Sequence, residues 1–182
     1  MDRQSDPLSE NDRRDPVLEE VVGKLLWEKK KRLAIAESCT GGRIAARITR
    51  IPGSSRYFDA ACVAYSNRSK EEFLGVPKKL LIEWGAVSAE VAMAMAEGIQ
   101  KRTGADLGLG VTGIAGPEGG TPEKPVGLVY IGFSDGKEAT VERHLFEGDR
   151  EAVQTQAAER ALERIRNYLV IRKPSKKREK MV

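Results

Sequence analysis

The chain has 182 residues, 40% of them hydrophobic and 32% charged, and this balance predicts one soluble domain with a buried core. No apolar run approaches the roughly 20 residues that span a membrane, and residues 1–15 lack the apolar centre of a secretory signal. A cytoplasmic protein without a membrane partner is therefore expected. Two cysteines are too few for a disulfide framework and favour reduced thiols.

The net charge of +4 is concentrated at the C-terminus, where residues 172–182 hold six Lys or Arg and one Glu. The rest of the chain is slightly negative. A charge run of this kind is typical of a solvated tail, and 5% aromatic residues offer little for base stacking, so a nucleic-acid partner is not favoured. One histidine, no CxxC and no HExxH argue against a metal site, and no cofactor is predicted.

Capping residues and hydrophobic periodicity predict alternating helices and strands. The predicted helices start at Asp15 as N-cap with Pro16 in the first turn, cover 43–51 and 67–74, make one or two turns within 77–84, and follow caps at Ser88 and Asp149. The predicted strands cover 33–36, 60–65, 106–111, 126–133 and 139–146. This order predicts the α/β class: a single three-layer α/β/α domain, residues 15–171, with a mixed, mostly parallel sheet, between disordered segments 1–14 and 172–182.

The stretch AESCTGG, residues 36–42, is predicted to connect a buried strand to a helix. Helix N-termini expose unpaired N–H groups with partial positive charge, and glycines let the backbone approach a ligand closely. Ser38 can attack a carbonyl group here while N–H groups of Thr40, Gly41 and Gly42 hold the oxyanion. The alternative is that Ser38 or Thr40 only caps the helix.

Three side chains compete for roles beside Ser38. Cys39 is a rival nucleophile, because a helix N-terminus lowers a thiol pKa, although a buried filler is the simpler interpretation. His144 is the single histidine and lies in a predicted strand, where structural histidines are more common than bases. A lysine can act as a base once desolvation lowers its pKa. Lys70, in AYSNRSK (64–70), lies near a helix N-terminus that also favours the neutral amine, unless it is a plain surface lysine.

Two loops offer ligand-binding groups. VTGIAGPEGG, residues 111–120, leaves a predicted strand in a glycine-rich loop that is neither a P-loop nor a dinucleotide fingerprint. Thr112 and the backbone of Gly113 to Gly116 can bind an anion or a hydroxyl there, and a structural loop is equally consistent with the pattern. Arg150, in GDR (148–150), can bind a phosphate beside the last helix or pair with a carboxylate.

Taken in order, these segments resemble the C-terminal domain of the competence/damage-inducible CinA proteins, which also occurs alone as a nicotinamide-nucleotide amidohydrolase. The matching stretches are AESCTGG (36–42), PGSSRYF (52–58), YSN with Lys70 (65–70), LGV (74–76), GAVS (85–88), TGIAGPEGG (112–120), KPVG (124–127) and GDR (148–150). Larger members of the family carry an additional N-terminal nucleotide-processing domain. This sequence has no room for that domain, so the stand-alone form is expected.

The resemblance implies hydrolysis of the carboxamide of nicotinamide mononucleotide to nicotinate mononucleotide and ammonia, a recycling step for pyridine nucleotides, without a cofactor. It implies Ser38 as nucleophile and Lys70 with Tyr65 as the proton-handling pair. The residues it assigns to the ribose phosphate or to ordering the site are Ser54, Ser55, Asn67, Thr112 and Arg150. A homodimer or similar small oligomer is also implied. Arg68 and Ser69 depart from the family's pattern, and we expect them to alter charge at the pocket rim only.

Two other functions are consistent with the sequence. One is a non-enzymatic nucleotide-binding or regulatory module linked to DNA uptake or damage responses. The basic residues 172–182 favour this function. The other is an amidase acting on a different nucleotide or small amide. Turnover of a panel of pyridine nucleotides, and DNA binding with and without the basic tail, separate these functions from the first.

Overall fold

Five strands and six helices make up the part of the chain that the computed structural model describes, residues 16–171. The strands are β1 (Leu33–Glu37), β2 (Phe58–Val63), β3 (Leu107–Gly113), β4 (Leu128–Ser134) and β5 (Ala139–Leu145). The helices are α1 (Leu18–Glu28), α2 (Arg43–Thr49), α3 (Asn67–Leu74), α4 (Lys78–Glu83), α5 (Ala89–Thr103) and α6 (Arg150–Ile171). The predicted disordered segments, 1–14 and 172–182, lie outside the described residues.

The strands form one mixed sheet in the order β2-β1-β3-β4-β5. β1 pairs in parallel with both neighbours, so Ile35 lies opposite Ala61 on one side and Leu109 on the other. β4 is antiparallel to β3 and to β5, which makes it the one strand of the five that points the other way. The predicted mixed sheet is confirmed. Because β1, β2 and β3 are parallel, their carboxyl ends meet at one edge, where open α/β sheets bind ligands.

Alternate residues of β1 face two helical layers, which is why its sequence is continuously apolar until Glu37. Leu33 and Ile35 pack in a core with residues of α1, α2 and α6. Ala34 and Ala36 pack in a second core with residues of α3, α4 and α5. The three-layer α/β/α architecture predicted from the order of elements is therefore confirmed.

Helix α5 lies unusually close to the sheet because glycines occupy the strand positions beneath it. A methyl group at Gly110 would come within 2.4 Å of the Ala92 carbonyl oxygen, and one at Gly132 within 2.2 Å of the same atom. Gly108 stands in the same relation to the Ala96 carbonyl, at 2.1 Å. The alternation of leucine and glycine in β3 thus puts leucines in one core and leaves the other face bare for α5.

Helix α1 differs from the prediction at its start. It begins at Leu18 with Val17 as the N-cap, so Pro16 precedes the helix instead of forming its first turn, and Asp15 lies outside the described residues. Glu19 is 1% exposed and pairs with Arg47 of α2 and with Arg50 directly after it, which ties the two helices together. None of the helices in residues 16–171 combines the length and apolar character needed to cross a membrane.

Candidate active site

A cavity of about 250 Å³ opens at the edge where the carboxyl ends of β1, β2 and β3 meet. Five segments enclose it: the turn after β1, the start of α3, the loop before α5, the glycine-rich loop after β3 and the start of α6. Its lining includes the rival nucleophile Cys39 and seven of the residues predicted to act in catalysis or binding, namely Ser38, Tyr65, Asn67, Lys70, Thr112, Gly113 and Arg150. The parallel strands thus bring together polar residues that lie far apart in the chain.

The side chains of Ser38 and Lys70 are in direct contact in this cavity. Lys70 Nζ lies 3.0 Å from Ser38 Oγ. Both residues are buried: Lys70 is 1% exposed and Ser38 is 7% exposed. Lys70 Nζ also donates to the carbonyl oxygen of Ala64 at 2.9 Å and reaches that of Tyr65 at 3.5 Å. Lys70 forms no ion pair with any carboxylate of residues 16–171. The amine is therefore held by backbone carbonyls and one hydroxyl.

Burial lowers the pKa of Lys70 below its ordinary value of 10.5, because an ammonium ion loses its hydration there without gaining a carboxylate partner. The direction agrees with the sequence prediction, which named desolvation together with the position near a helix N-terminus, and burial is the largest cause. A neutral amine has two hydrogens and a lone pair. In the structure Lys70 Nζ donates to Ser38 Oγ as well as to the two carbonyls. A neutral amine can keep both carbonyl acceptors and turn its lone pair toward the Ser38 hydroxyl.

The N-terminus of α2 is occupied by the carboxylate of Glu37, which is fully buried. Its Oε2 accepts from the N–H groups of Gly42 at 2.9 Å and Ile44 at 3.3 Å, and its Oε1 accepts from Ala45 at 2.9 Å. Gly41 and Gly42 have φ angles of 61° and 96°, a left-handed conformation that lets the chain fold back so tightly. Glu37 caps this helix, and neither Ser38 nor Thr40 does.

This capping corrects the predicted oxyanion site. The N–H of Gly42 donates to Glu37, and that of Gly41 donates to the carbonyl of Ser38 at 3.1 Å, so neither is available to a ligand. The N–H groups of Cys39 and Thr40 donate to no oxygen of residues 16–171. Thr40 itself is fully buried, and its hydroxyl has no hydrogen-bond partner within the same range. The free donors of the turn therefore lie nearer to Ser38 than predicted.

Cys39 is adjacent to Ser38, but its thiol is poorly suited to act as a nucleophile. Burial raises the pKa of its thiol to about 12, with a further contribution from the charge of Glu37. A thiol with that pKa is protonated at neutral pH and is a poor nucleophile. Its carbonyl oxygen accepts a hydrogen bond from Gln154 Nε2 of α6 at 2.7 Å. The interpretation of Cys39 as a buried filler agrees with this environment.

Arg150 bridges the mouth of the cavity. Its guanidinium donates to the hydroxyl of Tyr65 at 2.6 Å and to the carbonyl of Gly116 at 2.7 Å. Tyr65 is 58% exposed, and its hydroxyl contacts Arg150, whereas its carbonyl is the group that meets Lys70. The proton-handling pair implied by the resemblance is thus not a direct side-chain contact here. A guanidinium has five N–H groups, so Arg150 keeps donors for an anion.

Three other predicted residues occupy different parts of the lining. Thr112 is 1% exposed and donates to the carbonyl of Ala86 at 2.8 Å, which fixes the loop before α5 against the end of β3. Gly113 ends β3, and a side chain there would strike the Leu128 carbonyl at 2.6 Å. Asn67 begins α3 and is exposed at the rim, behind a capping box formed by Ser66 and Ser69.

Ser54 and Ser55 are not part of this cavity, and their predicted place in it is corrected. They form a 3-10 turn that leads into β2, and Phe58 at the start of β2 pairs with Leu33 at the start of β1. They therefore lie at the opposite edge of the sheet from Ser38. His144 is also remote from the lining: it pairs with Glu142 on β5 at 3.1 Å and stacks on Phe146.

Comparison with known proteins places the chain in a family. A sequence model described as the CinA C-terminal domain matches residues 15–169. The chain belongs to the CinA C-terminal domain family. CinA-like proteins from Citrifermentans bemidjiense and Geobacter metallireducens are 53% and 50% identical to it, over 86% and 84% of this chain and 38% and 37% of their own. The chain thus spans a little over a third of the length of the curated relatives it matches.

Solved structures share the fold of this CinA C-terminal domain. The competence damage-inducible protein A of Klebsiella pneumoniae has a TM-score of 0.83 and 33% identity, covering 86% of this chain and 97% of that one. The competence/damage inducible protein of Agrobacterium tumefaciens has a TM-score of 0.76 and 36% identity, covering 87% and 99%. Both structures are at least 33% identical to this chain, so the similarity covers the sequence as well as the fold.

Three residues around the CinA domain's cavity escaped the sequence analysis. Glu37 ends an apolar run and gave no sign that its carboxylate turns back onto the next helix. Gln154 is 115 positions from Cys39, so no local pattern links them. Glu118 is the one carboxylate that lines the cavity among the described residues. Glu118 lies inside the glycine-rich stretch that the sequence marked as a ligand-binding loop, and that stretch was the signal that could have found it.

Proposed function

We propose that this domain hydrolyses the carboxamide of nicotinamide mononucleotide to nicotinate mononucleotide and ammonia. The observation that carries the proposal is the contact of 3.0 Å between the buried amine of Lys70 and the hydroxyl of Ser38. A serine activated by an uncharged lysine is a nucleophile suited to acyl transfer. The small cavity above this pair suits a small amide and not a polymer.

In the first step, Lys70 removes the proton of Ser38 Oγ while that oxygen attacks the carboxamide carbon. The carbonyl oxygen becomes an oxyanion as its double bond opens. The N–H groups of Cys39 and Thr40 are the donors we assign to it, because the residue after a nucleophile commonly supplies this hydrogen bond. Donors that lack a partner in the free protein need no rearrangement to receive the charge.

In the second step, the carbon–nitrogen bond breaks, and the Lys70 ammonium returns its proton to the departing amine, so that ammonia leaves. An ester between Ser38 and the nicotinoyl group remains. Water then attacks this ester while Lys70 again takes a proton, and the Ser38 hydroxyl is restored as nicotinate mononucleotide departs. The same amine thus serves as base and acid in both halves of the reaction.

Charges at the rim fit the two ends of the substrate. Arg150 retains N–H donors for the phosphate, and a guanidinium binds phosphate well through two parallel hydrogen bonds. Glu118 offers a negative charge to the pyridinium ring, and the exposed ring of Tyr65 offers a surface on which it can stack. The pyridinium charge also makes the carboxamide carbon more electrophilic.

The deciding experiment is release of ammonia and nicotinate mononucleotide from nicotinamide mononucleotide, by wild type and Ser38→Ala, with a chelator present. We expect activity in the wild type and a loss of about 10³-fold or more in the variant. Full activity in Ser38→Ala would end the serine mechanism. Absence of turnover in both, with retained nucleotide binding, would favour a binding module. A homo-oligomer stays a prediction that light scattering can test.

A further inference from the structure

Gln154 of α6 makes the one side-chain hydrogen bond to a carbonyl of the Ser38 turn within the described chain. Its Nε2 donates to the Cys39 carbonyl at 2.7 Å, and its Oε1 accepts from Arg43 Nε at 3.1 Å. Arg43 is the first residue of α2, on the far side of the same turn. One carboxamide therefore joins both ends of the segment that carries Ser38.

We propose that Gln154 is a positioning residue for the Ser38 turn, an inference that rests on the proposed amidohydrolase function. A trans peptide group is planar, with its C=O and N–H pointing in opposite directions. By holding the Cys39 carbonyl toward α6, Gln154 turns the Thr40 N–H away from α6. That N–H is one of the two donors that we assign to the oxyanion.

Other groups form the hydrogen bonds that hold the rest of the turn, whereas Gln154 holds the peptide between Cys39 and Thr40. The Ser38 N–H donates to the Val111 carbonyl at 2.9 Å, and the Ser38 carbonyl accepts from Gly41 at 3.1 Å. Glu37 fixes the start of α2. Without Gln154 the peptide between Cys39 and Thr40 can rotate, because the left-handed Gly41 and Gly42 next to it tolerate many conformations.

The test is Gln154→Glu, which keeps the shape and the bond to Arg43 but removes the N–H donor. We expect kcat to fall about 10- to 100-fold with KM within about twofold of wild type, because small misplacement of catalytic groups has effects of this size. The matched control is Gln156→Glu. Gln156 lies on the same helix, and its Nε2 donates to the Glu147 and Ala152 carbonyls, away from the turn. We expect wild-type kcat and KM in the control.

Unchanged kcat in Gln154→Glu, or a change confined to KM, would overturn the proposal. A fall in kcat accompanied by an equal fall in the control would do the same. Thermal unfolding of both variants separates positioning from loss of folded protein, and Gln154→Met, which has no charge, repeats the test if the glutamate variant is unstable. For either replacement, the fall in kcat is compared at a temperature where the protein is fully folded.

A second readout keeps this proposal separate from the proposed function. A fluorophosphonate probe reacts with an activated serine and leaves an oxygen on phosphorus that needs the same N–H donors. The rate of Ser38 labelling, followed by intact mass, should fall about tenfold in Gln154→Glu and stay at the wild-type rate in Gln156→Glu. If wild type does not hydrolyse nicotinamide mononucleotide, the substrate assignment fails, and this ratio alone decides the role of Gln154. Equal or undetectable labelling in all three proteins would then overturn it.

Discussion

The amine of Lys70 donates to the carbonyl oxygen of Ala64 at 2.9 Å, six residues earlier in the same chain. The side chain thus folds back onto the end of β2, where the strand stops and its last carbonyls have no neighbour in the sheet. No described carboxylate pairs with the amine. The base of the proposed reaction is therefore positioned by the backbone and kept free of the ion pair that would hold it protonated.

Activity should rise with pH and level off above the lowered pKa of Lys70, because only the neutral amine accepts the proton of Ser38. Lys70→Met should reduce kcat by about 10³-fold and remove this pH dependence from the residual rate. Lys70→Arg should be as inactive, since a guanidinium stays protonated. Initial rates across the neutral and alkaline range test the prediction. A wild-type profile that is flat there would contradict the role of Lys70.

Cys39→Ala should retain activity within about threefold of wild type and lower the free energy of unfolding by about 1 kcal/mol, as expected for a small buried side chain. The thiol pKa of about 12 also predicts slow alkylation of Cys39 in the folded protein. Mass spectrometry after iodoacetamide treatment, native against denatured, measures the protection. An inactive Cys39→Ala beside an active Ser38→Ala would transfer the nucleophile to the thiol.

Glu19 should make the domain sensitive to acid. Burial acts to raise its pKa, but hydrogen bonds from Arg47 and Arg50 outweigh it and lower the pKa from 4.5 to about 2. A lowered carboxylate pKa gives stability that is present above pH 4.5 and lost as the pH falls through 2. The shift corresponds to about 3 kcal/mol. Glu19→Gln should lose this amount at neutral pH.

Urea unfolding of wild type and Glu19→Gln at several pH values measures that loss. The two free energies of unfolding should converge as the pH approaches 2, where the wild-type carboxylate is protonated. Glu97→Gln is the matched control, because Glu97 is exposed on α5 and should change the stability by less than about 0.5 kcal/mol. A constant difference between wild type and Glu19→Gln at every pH would mean that packing, not charge, accounts for the effect.

Tyr57→Phe should stabilise the domain by about 1 kcal/mol, because the hydroxyl of Tyr57 is buried without a hydrogen-bond partner among residues 16–171. The ring lies beneath α1 against Gly23, where even a methyl group would come within 2.4 Å of the hydroxyl oxygen. Phenylalanine keeps the ring and removes the unpaired oxygen. A higher urea midpoint with an unchanged slope would agree. A lower midpoint would show that the hydroxyl has a partner after all.

The sequence predicted the parts of the fold that depend on local pattern. The apolar run before Glu37, the glycine stops and the caps at Ser88 and Asp149 each have a short-range cause, and the structure has these elements where they were expected. It also singled out Ser38, Lys70 and Thr112 from their separate segments, and the parallel strands bring these residues to one edge. What it predicted less well was the direction of individual polar groups within that edge.

Glu37 and Ser54 illustrate why. The side chain of Glu37 accepts from the N–H groups of Gly42, Ile44 and Ala45, and the first of these had been assigned to the oxyanion. Capping by a residue that precedes the helix by several positions has no fixed spacing in the sequence. Ser54 was placed in the site by resemblance alone, and strand direction puts it at the other edge. The polarity of such loops is visible in the sequence, but the edge they occupy depends on the pairing of strands.

The glycines of β3 and β4 that face α5 set the distance between this helix and the sheet. The Ala86 carbonyl that receives Thr112 lies just before α5, so the height of this helix above the sheet also sets the depth of the cavity. A single added carbon at Gly110 would clash with the Ala92 carbonyl and force α5 away from the sheet. The separation of helix and sheet beside the candidate site is thus set by residues that have no side chain at all.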